Sequence, residues 1–251
     1  MEQNKRFQYV LRAADNALIL GQRLSEWCGH GPVLEEDIAL TNISLDLIGQ
    51  ARSLLSYAGE LEGLGKDEDR LAFFRDSHQY RNVLLVEQPN GHFGDTVARQ
   101  FLYDNFAFLY FDALTRSTDE HLAAIAAKSL KEVTYHRRHS SEWMIRLGDG
   151  TELSKERIQT SLNELWMYSG EMLSPDELDL EAQAAGVGPD LHDLARAWHS
   201  NVDAVLAQAG LVKPPSGWMQ SGGKKGVHSE NLGYLLAEMQ HLPRMYPDAT
   251  W

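Results

Sequence analysis

Apolar and small residues at Phe7, Leu11, Ala14, Leu18, Gly21 and Leu24 recur every three or four positions, the spacing that aligns side chains on one face of an α-helix. The pattern predicts a helix over about 5–28, stopped by Gly29-His30-Gly31-Pro32. A second stripe, Leu34, Ile38, Leu45, Ile48, Arg52 and Leu55, starts only a few residues later, so the two helices should form an antiparallel hairpin. A long connection follows, with a shorter helical piece near 68–86 and the turn Gln88-Pro89-Asn90-Gly91. Asp95 then has the chemistry to cap a helix reaching about Arg116, striped by Val97, Phe101, Asp104, Phe108 and Phe111. After Ser117-Thr118-Asp119, the positions Leu122, Ala126, Ser129, Val133, His136, Ser140, Met144 and Leu147 mark a fifth helix and a second hairpin.

Two long hairpins joined by a long crossover give the connectivity of a four-helix bundle of the ferritin-like kind, and the chain reads as all-α. Further helices are expected near 154–173, 176–184, 190–209 and 229–241, separated by Gly- and Pro-containing breaks. The expectation is one domain over 1–251, with the bundle core over about 5–147 and packing helices plus a Gly/Lys loop over about 150–251.

Charge changes the picture of partners. With 36 acidic and 23 basic residues the formal charge is −13, which repels nucleic acid and anionic membrane surfaces. Neither a secretory leader nor a run of eighteen apolar residues is visible, so a cytoplasmic protein is expected. The single cysteine, Cys28, has no companion for a disulfide or a thiolate site and is read as a buried thiol.

The candidate chemistry centres on KEVTYHRRHS at 131–140. Glu132, His136 and His139 are spaced to share a helix face, as metal ligands would. A ferritin-like di-iron centre needs a carboxylate from each of two helices and a Glu-x-x-His pair from each of the other two. Glu132 and His136 are four apart rather than three, with Tyr135 where the histidine would stand. The second helix offers Asn42, Leu45, Asp46, Gly49 and Gln50 but no histidine. Asp15 and Asp104 remain as carboxylates that a bundle interior would bury. They should find hydrogen bonds with Asn42, Gln50 or His136. A polar, metal-free interior is therefore expected, with Asp46, Gln50, Asp104, Glu132 and His136 as degenerate di-iron positions and no catalytic or metal-binding residue assigned. His139, beside Arg137 and Arg138, is expected at a partly solvated flank. The one strict Glu-x-x-His, Glu238 to His241, is expected on a surface helix, and no nucleophile-elbow or P-loop sequence is present.

Lysines gather around the passage 213–229, which includes Lys213-Pro214-Pro215-Ser216-Gly217-Trp218 and Ser221-Gly222-Gly223-Lys224-Lys225-Gly226-Val227-His228-Ser229. Its glycines permit close backbone approach and its lysines can meet a carboxylate or phosphate. It reads as a solvated loop, a docking loop for a partner protein, or a contact for a coenzyme phosphate. Lys213, Lys224, Lys225 and His228 are the candidate partner-binding residues.

Four segments together resemble the C-subunit family of bacterial phenylacetyl-CoA epoxidases. They are QRLSEWCGHGPVLEEDIALTNISLDLIGQARSLLSYAGEL at 22–61, LLVEQPNGHFGDTVARQF at 84–101, KEVTYHRRHSSEW at 131–143 and SGGKKGVHSENLGYLLAEMQ at 221–240. The resemblance implies a ferritin-like fold and a structural, non-catalytic role beside a catalytic A subunit. It also implies that the di-iron centre lies in that A subunit, that this chain holds no cofactor, and that electrons come from a reductase component. The complex would epoxidise the aromatic ring of phenylacetyl-CoA in phenylacetate degradation. An independent ferritin-like di-iron oxidase or oxygenase with irregular ligands is the competing reading.

Overall fold

In the computed structural model, which describes residues 1–215 and 217–249, the chain forms α1 (Gln3–Ser25), α2 (Leu34–Glu62), α3 (Glu68–Phe73), α4 (Phe93–Leu114), α5 (Glu120–Gly148), α6 (Glu152–Trp166), α7 (Gly170–Leu173), α8 (Glu177–Ala184), α9 (Leu191–Gln208) and α10 (Glu230–Met245). Short 3-10 turns lie at Ser77–Gln79, Leu84–Glu87 and Gly223–Lys225. Among the described residues there is no strand, so the architecture is all-helical, and both expected hairpins and the long crossover are present. No helix among the described residues is long and apolar enough to cross a membrane. Contacts concentrate in two compact units: Met1–Gln88 with the chain from Gly222 onward, and Pro89–Ser221.

The first unit is built on α1 against α2, with α3 and α10 packed beside them. All six residues of the α1 stripe are buried. The two helices approach closely where Gly21 lacks a side chain: a Cβ there would lie 3.2 Å from Leu47 Cβ and from Ile48 Cγ1. Ser44 Oγ donates to the Gly21 carbonyl at 2.8 Å and fixes the register. That register corrects the expected α2 stripe. Leu40, Ile43, Leu47 and Leu54 face inward with Leu55, whereas Leu34, Ile38 and Leu45 are 71%, 51% and 61% exposed and Arg52 is exposed too. The helix carries apolar residues on more than one side, so periodicity alone does not select the face that packs. Asn42 likewise points outward. Cys28 is also exposed, not buried, because α1 ends at Ser25 and Cys28 lies in the tight turn beyond it, its N–H donating to the Ser25 carbonyl at 3.1 Å.

In the second unit α4 and α5 form the hairpin, and α6 and α9 pack against both. Asp95 is not the cap of α4 but its third residue. It exchanges hydrogen bonds with the true cap, His92, whose Nδ1 accepts from Asp95 N at 3.2 Å while Asp95 Oδ2 accepts from His92 N at 2.9 Å. Asp119 caps α5 as expected, accepting from Leu122 N at 3.1 Å. The α5 stripe from Leu122 to Met144 is buried throughout. Trp198 of α9, fully buried, donates its indole N–H to the Leu102 carbonyl at 3.0 Å and packs against Trp166 of α6, with ring centroids 5.6 Å apart. These contacts tie α9 to α4 and α6, and within the unit a polar group is enclosed on α4.

Candidate functional site

That group is Asp104. Its α4 position is buried, and three residues of the α5 stripe, Val133, His136 and Ser140, are buried with it in the same unit. Burial pushes the Asp104 carboxyl up from its ordinary value to about 6; His136, a hydrogen bond from Ser140, His139 and Arg99 oppose this without cancelling it. One carboxylate oxygen, Oδ2, has no hydrogen-bond partner among the described residues. Glu132, one turn before His136, is half-buried, and His139 is half-buried at the stripe's flank.

The other interior carboxylate has a different fate. Asp15, fully buried on α1, is gripped by the Arg75 guanidinium through both of its oxygens, the Nη1 to Oδ2 contact being 2.9 Å. Arg81 N donates to the same Oδ2 at 2.8 Å. The expected partners Asn42, Gln50 and His136 are thus replaced in this role by an arginine from the crossover. Gln50 is buried and Asp46 half-buried on α2, where Leu47 is also buried. Among the described residues no three His, Cys, Asp or Glu side chains gather as a metal site requires. Glu238 and His241 are both exposed on α10, as expected.

The lysine-rich passage is divided. From Gly222 on, it is folded onto the crossover of the first unit. A Cβ on Gly223 would collide with the Asn82 carbonyl oxygen, and Gly226, at φ +78°, sits against the His78 carbonyl. His228 Nδ1 lies 2.8 Å from Glu87 Oε2 and its Nε2 lies 3.1 Å from the Tyr80 carbonyl, so both ring nitrogens face acceptors. Asn82 Nδ2 donates to Glu87 Oε2 at 3.0 Å and Ser229 N to Oε1 at 2.7 Å. Burial opposes the charge of His228, but the hydrogen bond and charge of Glu87 and the Tyr80 carbonyl outweigh it, and the imidazole pKa is raised. Lys224 is buried. Neither Lys224 nor His228 is therefore displayed as a docking side chain. Lys225 is exposed, and Lys213, in the second unit, is paired with Asp203 at 2.7 Å. Ser216, within the same passage, lies outside the described residues.

Sequence reasoning missed Arg75 and Glu87 entirely. Each meets its partner across a long gap in the chain, Asp15 with Arg75 over 60 positions and Glu87 with His228 over 141. A local signal existed for Glu87, a carboxylate that directly follows the apolar run Val83-Leu84-Leu85-Val86.

Known proteins agree with the fold and the resemblance. A profile of the family described as "Phenylacetic acid catabolic protein" matches residues 1–251. The chain is 50% identical over 248 residues to the Escherichia coli (strain K12) protein named as the C subunit of 1,2-phenylacetyl-CoA epoxidase, covering 99% of this chain and 100% of that one. With a match along its whole length and half its residues identical to a curated relative, the chain belongs to the phenylacetic acid catabolic protein family.

Proposed function

We propose that this chain is a structural, non-catalytic subunit of a cytoplasmic, multicomponent di-iron monooxygenase that epoxidises the aromatic ring of phenylacetyl-CoA. The full-length similarity to a protein named as the C subunit of such an epoxidase supplies the complex. The observation that carries the non-catalytic reading is the Asp15–Arg75 pair. A ferritin-like site would direct its interior carboxylates at cations of a metal centre; here a buried carboxylate is already neutralised by a guanidinium, which would also repel a divalent ion. The absence of histidine from α2, with Leu47 and Gln50 buried there, points the same way. These residues do not fit a di-iron centre, and no step of the chemistry is assigned to them.

In this reading the iron, the substrate's reacting ring and the oxygen chemistry belong to a catalytic A subunit supplied with electrons by a reductase component. The present chain contributes shape: rigid helices that hold the partner's helices in place, where small displacements of positioned groups cost rate. In this reading the partner contact lies on the exposed apolar row of α2, Leu34, Ile38 and Leu45, rather than on the fourth and fifth helices or the 213–229 loop, because apolar side chains repeating along one helix face are what a partner's helices cover. The test is reconstitution: the A subunit and reductase are assayed for phenylacetyl-CoA oxidation with and without this chain. Restoration of activity by both the wild-type chain and a Glu132→Gln variant supports the proposal. Loss of activity in that variant, with assembly intact, overturns it.

A further inference from the structure

Between α5 and α9, wholly inside the second unit, runs a groove of about 630 Å³. Its α5 wall is one helix face carrying Lys131, Tyr135 and Arg138, with Arg137 at its edge; Asn201 and Gln208 come from α9. Several surface cations of this acidic chain are held by carboxylates, as Arg116 is by Asp112 and Arg146 by Glu142. None of Lys131, Arg137 and Arg138 has an acidic partner among the described residues. Arg137 is half-buried over the Phe108 ring, 3.7 Å from its centroid, and burial lowers its pKa with no neighbouring charge in compensation. Arg138 lies 5.6 Å from the Tyr135 ring centroid. Glu142 also lines the groove but faces Arg146 at 3.7 Å.

Three uncompensated cations set around a concavity call for an anion with more than one charge. Tyr135, 39% exposed, offers an aromatic face at the same place, and Asn201 and Gln208 offer amides able to meet the edge of a base. The volume falls in the range of small-ligand sites rather than of flat protein contacts. The overall charge of −13 does not prevent this, because screening at physiological salt confines the field to about 8 Å. We propose that the α5–α9 groove binds a nucleotide carrying two or more phosphates, its phosphates on Lys131, Arg137 and Arg138 and its base against Tyr135. Such a ligand could be a free nucleotide or the nucleotide end of a coenzyme A thioester, since both present the same chemistry.

The test is calorimetric titration of the full chain at physiological salt with ADP, coenzyme A, pyrophosphate and adenosine. It needs no catalytic activity, so its outcome is separate from that of the scaffold proposal. Saturable binding of ADP or coenzyme A, tighter than of pyrophosphate or adenosine, is expected. Replacing the exposed pair as Lys131→Gln/Arg138→Gln should weaken it about tenfold or more while leaving the helical content unchanged. A preference for coenzyme A over ADP identifies the thioester as the source, and equal affinity identifies the free nucleotide. No binding below millimolar concentration, pyrophosphate binding as tightly as ADP, or affinity retained in the double variant would each overturn the proposal.

Discussion

Asp104 makes the interior of the second unit sensitive to a single proton. Its ordinary carboxyl value is 3.8 and burial raises it to about 6. The folded chain therefore holds this proton more tightly than the unfolded chain does. Stability contributed through Asp104 falls as pH rises from the ordinary value through the raised one, and is level above it. The interval is roughly two pH units; at about 1.4 kcal/mol per unit, the ionised side chain costs about 3 kcal/mol at neutral pH. Asp104→Asn keeps the shape and removes the charge. Urea unfolding should then show the variant more stable than wild type by about 3 kcal/mol near pH 8, with the advantage shrinking to roughly half near pH 5, where the wild-type carboxyl is largely protonated in the folded chain. A variant less stable than wild type near pH 8, or an advantage of the same size at both pH values, would refute the reasoning.

Three further outcomes are expected. Arg75→Met leaves the buried Asp15 carboxylate without its guanidinium and should cost about 3–5 kcal/mol, whereas the double variant with Asp15→Leu should recover much of that loss in the same unfolding assay. The raised His228 pKa means that its pairing with Glu87 stabilises the fold fully below the ordinary value of 6.5 and loses that contribution as pH rises through the raised value; His228→Gln should flatten this part of the stability profile and speed proteolysis after Lys224 and Lys225. Leu34→Glu/Leu45→Glu places charge in the exposed α2 row and should weaken co-purification with the A subunit while leaving the melting temperature nearly unchanged; undiminished assembly would remove α2 from the interface.

How far the sequence could be read depended on how one-sided each helix is. On α5 the buried positions from Leu122 to Met144 recur every three or four residues, and from Lys128 on charged residues stand between most of them, so the stripe is legible residue by residue. On α2 apolar residues lie on several sides, and the choice was made by the close approach at Gly21 and the Ser44 hydrogen bond, which involve another helix. The same difference governs the polar groups. Asp104 and His136 share a hairpin whose register follows from its stripes, so their proximity could be anticipated. Asp15 with Arg75 and Glu87 with His228 depend on where an irregular crossover and a glycine-rich segment come to rest, which no periodicity encodes. The glycines of 222–226 read as freedom for a partner to approach; in the fold they let the chain's own loop lie against Asn82 and His78. What the sequence could show without geometry was the missing histidine of α2.

The central claim, that this chain lends structure while its partner holds the iron, is tested most directly by metal analysis of each chain. The two are co-expressed in iron-replete medium, purified as a complex and separated under mild conditions. The account predicts iron with the A subunit and a substoichiometric trace with this chain. About two irons per molecule of this chain, lost on Glu132→Ala/His136→Ala, would contradict it.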